Sequence, residues 1–287
     1  MFMDLTAINM KFKTLENTTT EDILAVFNLS FLNSIAPFQL TKEEFEFKLN
    51  NDSIKLELSV GAFIDNKLVG FILHGKNRIN NQSVAYNAGT GVDPNFRGNK
   101  IISKLYDFVI PILKTNGVTK MQLEVISENT NALPIYKNVG FKIDRELNCY
   151  KGTLEPNGNS APEIRELTEY DWQIMESFWD CQPSWQNSIT AAENSFNNNI
   201  SIGIYDKEML LGYMIYNPIS NKIQQLAVDN KHRRKGLGRE LLQYVSKNNN
   251  KELLLNNVDT ASKATTSFLL SLGLKIKIKQ YEMSFEM

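Results

Sequence analysis

The strongest constraint on how this chain can fold is that one local pattern occurs twice. Val92-Asp93-Pro94-Asn95-Phe96-Arg97-Gly98-Asn99-Lys100-Ile101-Ile102 and Val228-Asp229-Asn230-Lys231-His232-Arg233-Arg234-Lys235-Gly236-Leu237-Gly238 each follow an apolar, strand-like run and each open an amphipathic helix. With Val92 set on Val228, Asp93 meets Asp229, Arg97 meets Arg233, Leu105 meets Leu241 and Val109 meets Val245. Upstream, Leu68-Val69-Gly70-Phe71-Ile72 matches Leu210-Leu211-Gly212-Tyr213-Met214. Downstream, Val139-Gly140-Phe141 matches Leu272-Gly273-Leu274. Three landmarks in one order, at a long period, specify two related domains and not a solenoid.

The stretch Glu155-Pro156-Asn157-Gly158-Asn159-Ser160-Ala161-Pro162 is polar and full of chain breakers, which predicts a linker. It separates an N-terminal domain, 1–154, from a C-terminal domain, 163–287, each long enough to bury its own core.

Local signals place the elements. Residues 5–15 read as a strand. Thr20 is a candidate N-cap for a helix over 21–33, and Thr41-x-x-Glu44 forms a capping box for a helix over 42–50. Strands over 57–64 and 67–76 flank Asp65-Asn66, a hairpin turn. A fourth strand, 83–92, leads into the repeated turn and a helix over 103–116. A strand over 120–127, a helix over 129–139 and closing strands over 141–152 complete the half. The second half repeats this order: a helix over 170–179, a short helix over 189–195, hairpin strands over 200–205 and 209–217, a strand over 223–228, the turn and its helix, a strand over 252–258, a helix over 262–272 and terminal strands to Phe285.

A basic, glycine-bearing turn between a strand and a helix gathers backbone N–H groups and a helix N-terminus at one point, which is how proteins hold phosphate. Glycine lets the backbone approach a bulky anion. The spacing is neither a P-loop nor a dinucleotide fingerprint. A solvated basic turn before a surface helix would have the same composition.

Arg233-Arg234-Lys235-Gly236-Leu237-Gly238 resembles the Gln/Arg-x-x-Gly-x-Gly/Ala signature of the GNAT superfamily of N-acetyltransferases. The resemblance runs once through each half. It implies an α+β fold with two GNAT-like domains, each a mixed, mostly antiparallel central sheet flanked by helices. It also implies acetyl-CoA as co-substrate. Its pyrophosphate would lie against Arg233, Arg234, Lys235, Gly236, Leu237 and Gly238 in the second half, and against Arg97, Gly98, Asn99, Lys100, Ile101 and Ile102 in the first. The strand ends at Val92 and Val228 would hold the thioester carbonyl, and Asn129 the pantetheine arm. Tyr136, in Asn129-Thr130-Asn131-Ala132-Leu133-Pro134-Ile135-Tyr136-Lys137-Asn138-Val139-Gly140-Phe141, falls on the family's proton donor, and Glu124 on its general base.

The halves depart from the signature in opposite ways. The first has Lys100 and Ile102 where the second has Gly236 and Gly238. The second has Leu269 for Tyr136, Asn257 for Glu124 and Ser262 for Asn129, with Tyr281 on a late strand as a remaining phenol. The expected reaction is acetyl transfer to a primary amine of a small molecule or peptide, by direct attack in a ternary complex with the chemistry in the first half. The alternative is a non-catalytic acyl-CoA sensor or scaffold in one or both halves.

Composition narrows the remainder. Charge is balanced, 31 basic against 32 acidic residues, which argues against a nucleic-acid partner despite the basic run at 231–235. No apolar run has the length of a membrane span, and no secretion signal is recognised at the start, so a cytoplasmic protein is expected. Two cysteines and two histidines predict no disulfide framework, metal site or Ser-His-Asp triad. Trp172, Trp179 and Trp185 are expected in the core. A monomer with pseudo-dimeric tandem domains or a homodimer is expected.

Overall fold

The computed structural model describes residues 9–154, 163–246 and 252–287. The expected linker and the first residues of the expected 5–15 strand lie outside the described residues. In chain order the elements are β1 (Met10–Thr14), α1 (Thr20–Phe31), α2 (Lys42–Asn51), β2 (Val60–Ile64), β3 (Lys67–Ile79), β4 (Gln82–Val92), α3 (Ile101–Thr115), β5 (Lys120–Ile126), α4 (Ala132–Val139) and β6 (Lys142–Gly152). They continue as β7 (Glu163–Glu166), α5 (Trp172–Glu176), α6 (Ile189–Asn194), β8 (Ile200–Asp206), β9 (Met209–Asn217), β10 (Lys222–Val228), α7 (Leu237–Ser246), β11 (Leu253–Asp259), α8 (Lys263–Ser271) and β12 (Lys275–Glu286).

These elements form two compact units. Unit 1 holds the chain up to Asp144 together with Tyr281–Met287; unit 2 holds Arg145–Gln280. The unit boundaries therefore fall at 144/145 and 280/281, inside β6 and β12, and not at the breaker-rich stretch. Each domain was expected to close on separate strands, but β6 and β12 are single unbroken strands. Composition marks where a chain is polar; it does not mark which neighbour a strand pairs with.

In unit 1 the sheet order is β1-β2-β3-β4-β5, followed by the end of β12. The β1–β2, β2–β3 and β3–β4 pairs are antiparallel, and β4–β5 is parallel. Asp65 and Asn66 both take positive φ, 49° and 62°, as a two-residue hairpin turn requires. Helix α1 starts one residue earlier than expected, with Thr19 as N-cap, and α2 carries the expected capping box at Thr41 and Glu44. Helix α3 buries Ile101, Leu105, Tyr106, Val109 and Leu113, the spacing of one helical face. They meet Val60, Ala62, Ile72, Met121, Leu123 and Met283 in one core.

Unit 2 repeats the plan as β7-β8-β9-β10-β11, with the 145–152 part of β6 paired antiparallel to β11. Helix α5 covers only Trp172–Glu176, because the chain turns at Phe178–Pro183 to line the cleft described below. Leu241, Leu242 and Val245 of α7 pack with Ile202, Met214, Leu255 and Leu269.

Two irregularities shape both units. The β3–β4 ladder has a bulge at Ala88, between Leu73↔Gly89 and His74↔Asn87; the β9–β10 ladder has one at Gln224, between Ile223↔Tyr216 and Gln225↔Ile215. With Val92 on Val228 these are the same position. Just there the parallel ladders stop: β4–β5 pairing ends at Asn87↔Leu123, and β10–β11 pairs only at Lys222↔Leu254. Among the described residues, the ladder between the two parallel strands does not continue past those pairs in either unit. A bulge re-aims a strand and is a common device beside an active site.

Candidate active site

Each repeated turn has one backbone. Asp93 and Asp229 have φ/ψ of −48/125 and −48/129, and each side chain accepts from the N–H two residues on, Asn95 at 2.9 Å and Lys231 at 3.1 Å. Left-handed conformations then fall at Gly98 (φ 84°) and Lys100 (φ 56°) in unit 1, and at Arg234 (φ 63°) and Gly236 (φ 86°) in unit 2. The halves thus exchange which of the two left-handed positions is glycine. Lys100 where Gly236 would be does not destroy the turn, although it adds roughly 1 kcal/mol of backbone strain. Helix α3 begins with no side-chain cap, leaving its first amides to a ligand or solvent.

Arg97 and Arg233 face the protein. Arg97 donates to the Val92 carbonyl (3.2 Å) and the Ser30 carbonyl (2.7 Å). Arg233 donates to the Val228 carbonyl (2.9 Å), the Phe178 carbonyl (2.8 Å) and Asp180 (2.7 Å). Arg97 thus ties the end of β4 to the last turn of α1, and Arg233 ties the end of β10 to the segment just after α5. Any pyrophosphate contact from these positions belongs to neighbouring backbone. Asn99 is also engaged, donating to the carbonyls of Phe96 and Arg97. Asn129 accepts from the N–H of Ala132 at 3.1 Å and so starts α4.

In unit 2 the opening between β10 and β11 is a cleft of about 630 Å³. Its walls include Arg234, Gly236, Leu237 and Gly238 from the turn, Val228 from β10, Asn257 from β11, and Ser262, Thr265 and Phe268 from the α8 end. A Cβ on Gly236 would meet nothing within 4 Å, so the turn borders open space there. Gly238 is small for another reason: a Cβ would come within 3.0 Å of the Phe268 ring. On the inner wall Trp179 donates to Tyr213 (2.5 Å), Tyr213 to Gln225 (2.7 Å), and Gln225 to the Asn187 carbonyl (2.7 Å). Trp185 is core as expected; Trp179 borders the cleft instead. Asn257 stands at φ 60° beside a register shift in β11, and Leu269 is fully buried. Tyr281 belongs to unit 1 and packs against its core.

Unit 1 carries the titratable groups. Tyr136 of α4 is buried, edge-on to Tyr106 (6.2 Å, 89°) and Phe141 (6.0 Å, 69°). Burial raises its pKa above the ordinary phenol value, opposed by hydrogen bonds with Thr90 and Asn87. The phenol therefore stays protonated at neutral pH. Glu124, on β5, accepts a short hydrogen bond from Tyr86, whose own pKa burial pushes well up, with Glu124 adding to the rise. Sequence reading did not single out Asn87, Thr90 or Tyr106. The signal was available in the repeat, because all three positions are aliphatic in the other half. Among the described residues no group of His, Cys, Asp and Glu is placed to hold a metal ion, and no helix is long and apolar enough to cross a membrane.

Each unit is thus built on one plan, a bulged strand that parts from its parallel neighbour and runs through a basic turn into a helix. The chain matches the Acetyltransferase (GNAT) family over residues 23–141 and again over 165–269, and belongs to that family. A tandem GNAT protein from the clavulanic acid biosynthesis pathway has a similar structure, with a TM-score of 0.72 at 11% identity over 97% of this chain and 98% of that one. A GCN5-related N-acetyltransferase from Sphaerobacter thermophilus aligns with a TM-score of 0.70 at 15% identity, over 96% of this chain and 95% of that one. At these identities the likeness is one of fold. No curated protein matches the chain by sequence.

Proposed function

We propose that this protein is an acetyl-CoA-dependent N-acetyltransferase, acting on a primary amine of a small molecule or peptide by direct attack in a ternary complex, with its chemistry in unit 1. One observation carries the choice of unit: both units have the turn and the parting strands, but only unit 1 has a phenol on α4 and a carboxylate at the matching place on β5. Glu124 takes the proton that frees the amine, directly or through water. Amides at the end of β4, about Gly91 and Val92, stabilise the oxyanion, a contribution of a few kcal/mol in such sites. Tyr136 gives its proton to the departing sulfur.

Direct attack fits the cysteines. Cys149 is buried, and Cys181, at the unit 2 cleft, has its thiol pushed up by burial, the opposite of an activated nucleophile. Two cysteines outside any disulfide also suit the cytoplasm. Unit 2 supports a second role: its cleft can hold acyl-CoA at Arg234–Gly238 while its α4 counterpart offers only Leu269, which makes it an acyl-CoA-binding partner without turnover.

The test is kinetic, on the full chain, after screening polyamines, amino sugars, amino acids and peptide N-termini for an acceptor. Tyr136→Phe lowers kcat by about 10²–10⁴-fold and moves KM for acetyl-CoA much less. Because the Tyr136 pKa is raised, wild-type kcat shows no loss of this acid as pH rises to 9. Gly236→Asp puts a negative charge into the unit 2 turn and abolishes CoA binding there while unit 1 turns over. Near-full kcat in Tyr136→Phe, with turnover abolished by Gly236→Asp, would move the active site to unit 2.

A further inference from the structure

Tyr136 does not stand alone. Asn87 Nδ2 donates to Tyr106 Oη (2.7 Å) and to Thr90 Oγ1 (2.7 Å), Thr90 Oγ1 lies 3.0 Å from Asn87 Oδ1, and the Gly89 N–H donates to that same Oδ1 (3.1 Å). Tyr136 sits beside this group with its ring edge-on to Tyr106 at 6.2 Å, and Thr90 and then Asn87 pull its pKa down against the rise that burial causes. Asn87 and Tyr106 are buried, and Asn87 and Thr90 flank the Ala88 bulge, where β4 parts from β5.

The molecule contains its own control. With Val92 on Val228 and Gly140 on Gly273, the positions of Asn87, Thr90, Tyr106 and Tyr136 are held in unit 2 by Ile223, Leu226, Leu242 and Leu269. All four belong to or pack against the unit 2 core. The same fold, with the same bulge, thus closes over four aliphatic side chains. A buried polar group is costly unless fully hydrogen-bonded, and a partly satisfied network is worse than an apolar core. Folding does not require the network in unit 1, so its presence needs a chemical reason.

We propose that Asn87, Thr90 and Tyr106 are positioning residues for Tyr136. This rests on the reading of Tyr136 as the acid. The two N–H groups of Asn87 Nδ2 go to Tyr106 Oη and Thr90 Oγ1, which leaves the Thr90 hydroxyl proton as the one that can turn to the Tyr136 oxygen. The Tyr136 oxygen then keeps its own proton for the cleft and carries the negative charge left when that proton goes to sulfur. In the step itself the C–N bond forms, the C–S bond breaks and the thiolate takes the Tyr136 proton. The proton shed by the acylated nitrogen restores the phenol through solvent. A phenol among the three aliphatic neighbours of unit 2, Ile223, Leu226 and Leu242, would have no such support.

The experiment uses the full chain and reads thiol release from acetyl-CoA with a pool of spermidine, glucosamine, lysine and a tetrapeptide. Thr90→Val and Asn87→Leu each lower kcat roughly tenfold, the effect of a hydrogen bond to a developing charge. KM for acetyl-CoA moves less than twofold, and the melting temperature holds or rises, as the apolar unit 2 pattern predicts. Thr90→Ser, which keeps the hydroxyl, restores most of the rate. In a Tyr136→Phe background neither Thr90→Val nor Asn87→Leu lowers kcat further, because both act through the missing hydroxyl. Full activity in Thr90→Val, or a loss that adds to that of Tyr136→Phe, overturns the proposal while leaving Tyr136 as the acid. A Tyr136→Phe enzyme with full kcat, or wild type that releases no thiol, removes the underlying reading and this one with it.

Discussion

His74 shows how one side chain can set the response of unit 1 to acid. It is fully buried on β3, its Nδ1 lies 3.0 Å from the Leu58 carbonyl, and its Nε2 has no hydrogen-bond partner. A carbonyl only accepts, so Nδ1 carries the proton and the ring is neutral. Burial lowers its pKa from 6.5 to about 4, against the Leu58 bond, which raises it. Between those values the unfolded chain binds a proton that the folded chain refuses, so stability falls as pH drops through that window. The full loss is about 3 kcal/mol, at roughly 1.4 kcal/mol per unit. Denaturant midpoints of wild type and His74→Leu, compared from pH 7 to pH 4, check this: the variant lacks this part of the slope. Sequence reading could count this histidine but not bury it. The same holds for Arg97 and Arg233, whose place in the motif was legible but whose inward direction was not.

At the scale of elements, the signals that held were those written in contiguous residues. The Thr41 hydroxyl accepts from the Glu44 N–H (3.2 Å) and Glu44 accepts from the Thr41 N–H (2.8 Å), as a capping box should. Thr41→Ala removes the first of these bonds at an exposed site and should lower stability by about 1 kcal/mol, read as a fall in melting temperature with CoA binding unchanged. The Asp65-Asn66 turn and the two basic turns were legible for the same reason. Helix α5 was not: the stretch to Trp179 has helical composition, but Trp179 donates to Tyr213 and the Phe178 carbonyl accepts from Arg233. Tertiary partners took those residues out of the helix.

At the scale of the molecule, the division of β6 and β12 between the units decides what can be removed. Within unit 1, Met283 is fully buried, Phe285 packs 5.9 Å from Phe141, and the Met287 N–H donates to the Thr119 carbonyl (2.9 Å). Deleting 281–287 strips Met283 and Phe285 from that core, at roughly 2 kcal/mol or more each. Hydrogen exchange should then show α3 and α4 losing protection while α7 keeps it. For the same reason a cut at 155–162 yields no pair of complete domains. The first fragment lacks 281–287, and the second lacks Leu147 and Tyr150, buried in unit 2. Equal protection of α3 in the full-length and truncated chains would refute this account.

The sequence by itself determined the repeat, the order of strands and helices in each half, the two basic turns and the family, because these depend on residues that are neighbours in the chain. Only the tertiary structure decided that the two turns share one backbone despite exchanging their glycines, since φ is a property of conformation and Lys100 adopts a value usually left to glycine. It alone brought Asn87, Thr90 and Tyr106 around Tyr136, four residues from three elements, and moved Trp179 from core to cleft. It alone assigned the last seven residues to the first unit. Those outcomes depend on which strands pair and which faces meet, and pairing is settled by burial and backbone hydrogen bonding across the whole sheet, which no local stretch of sequence carries.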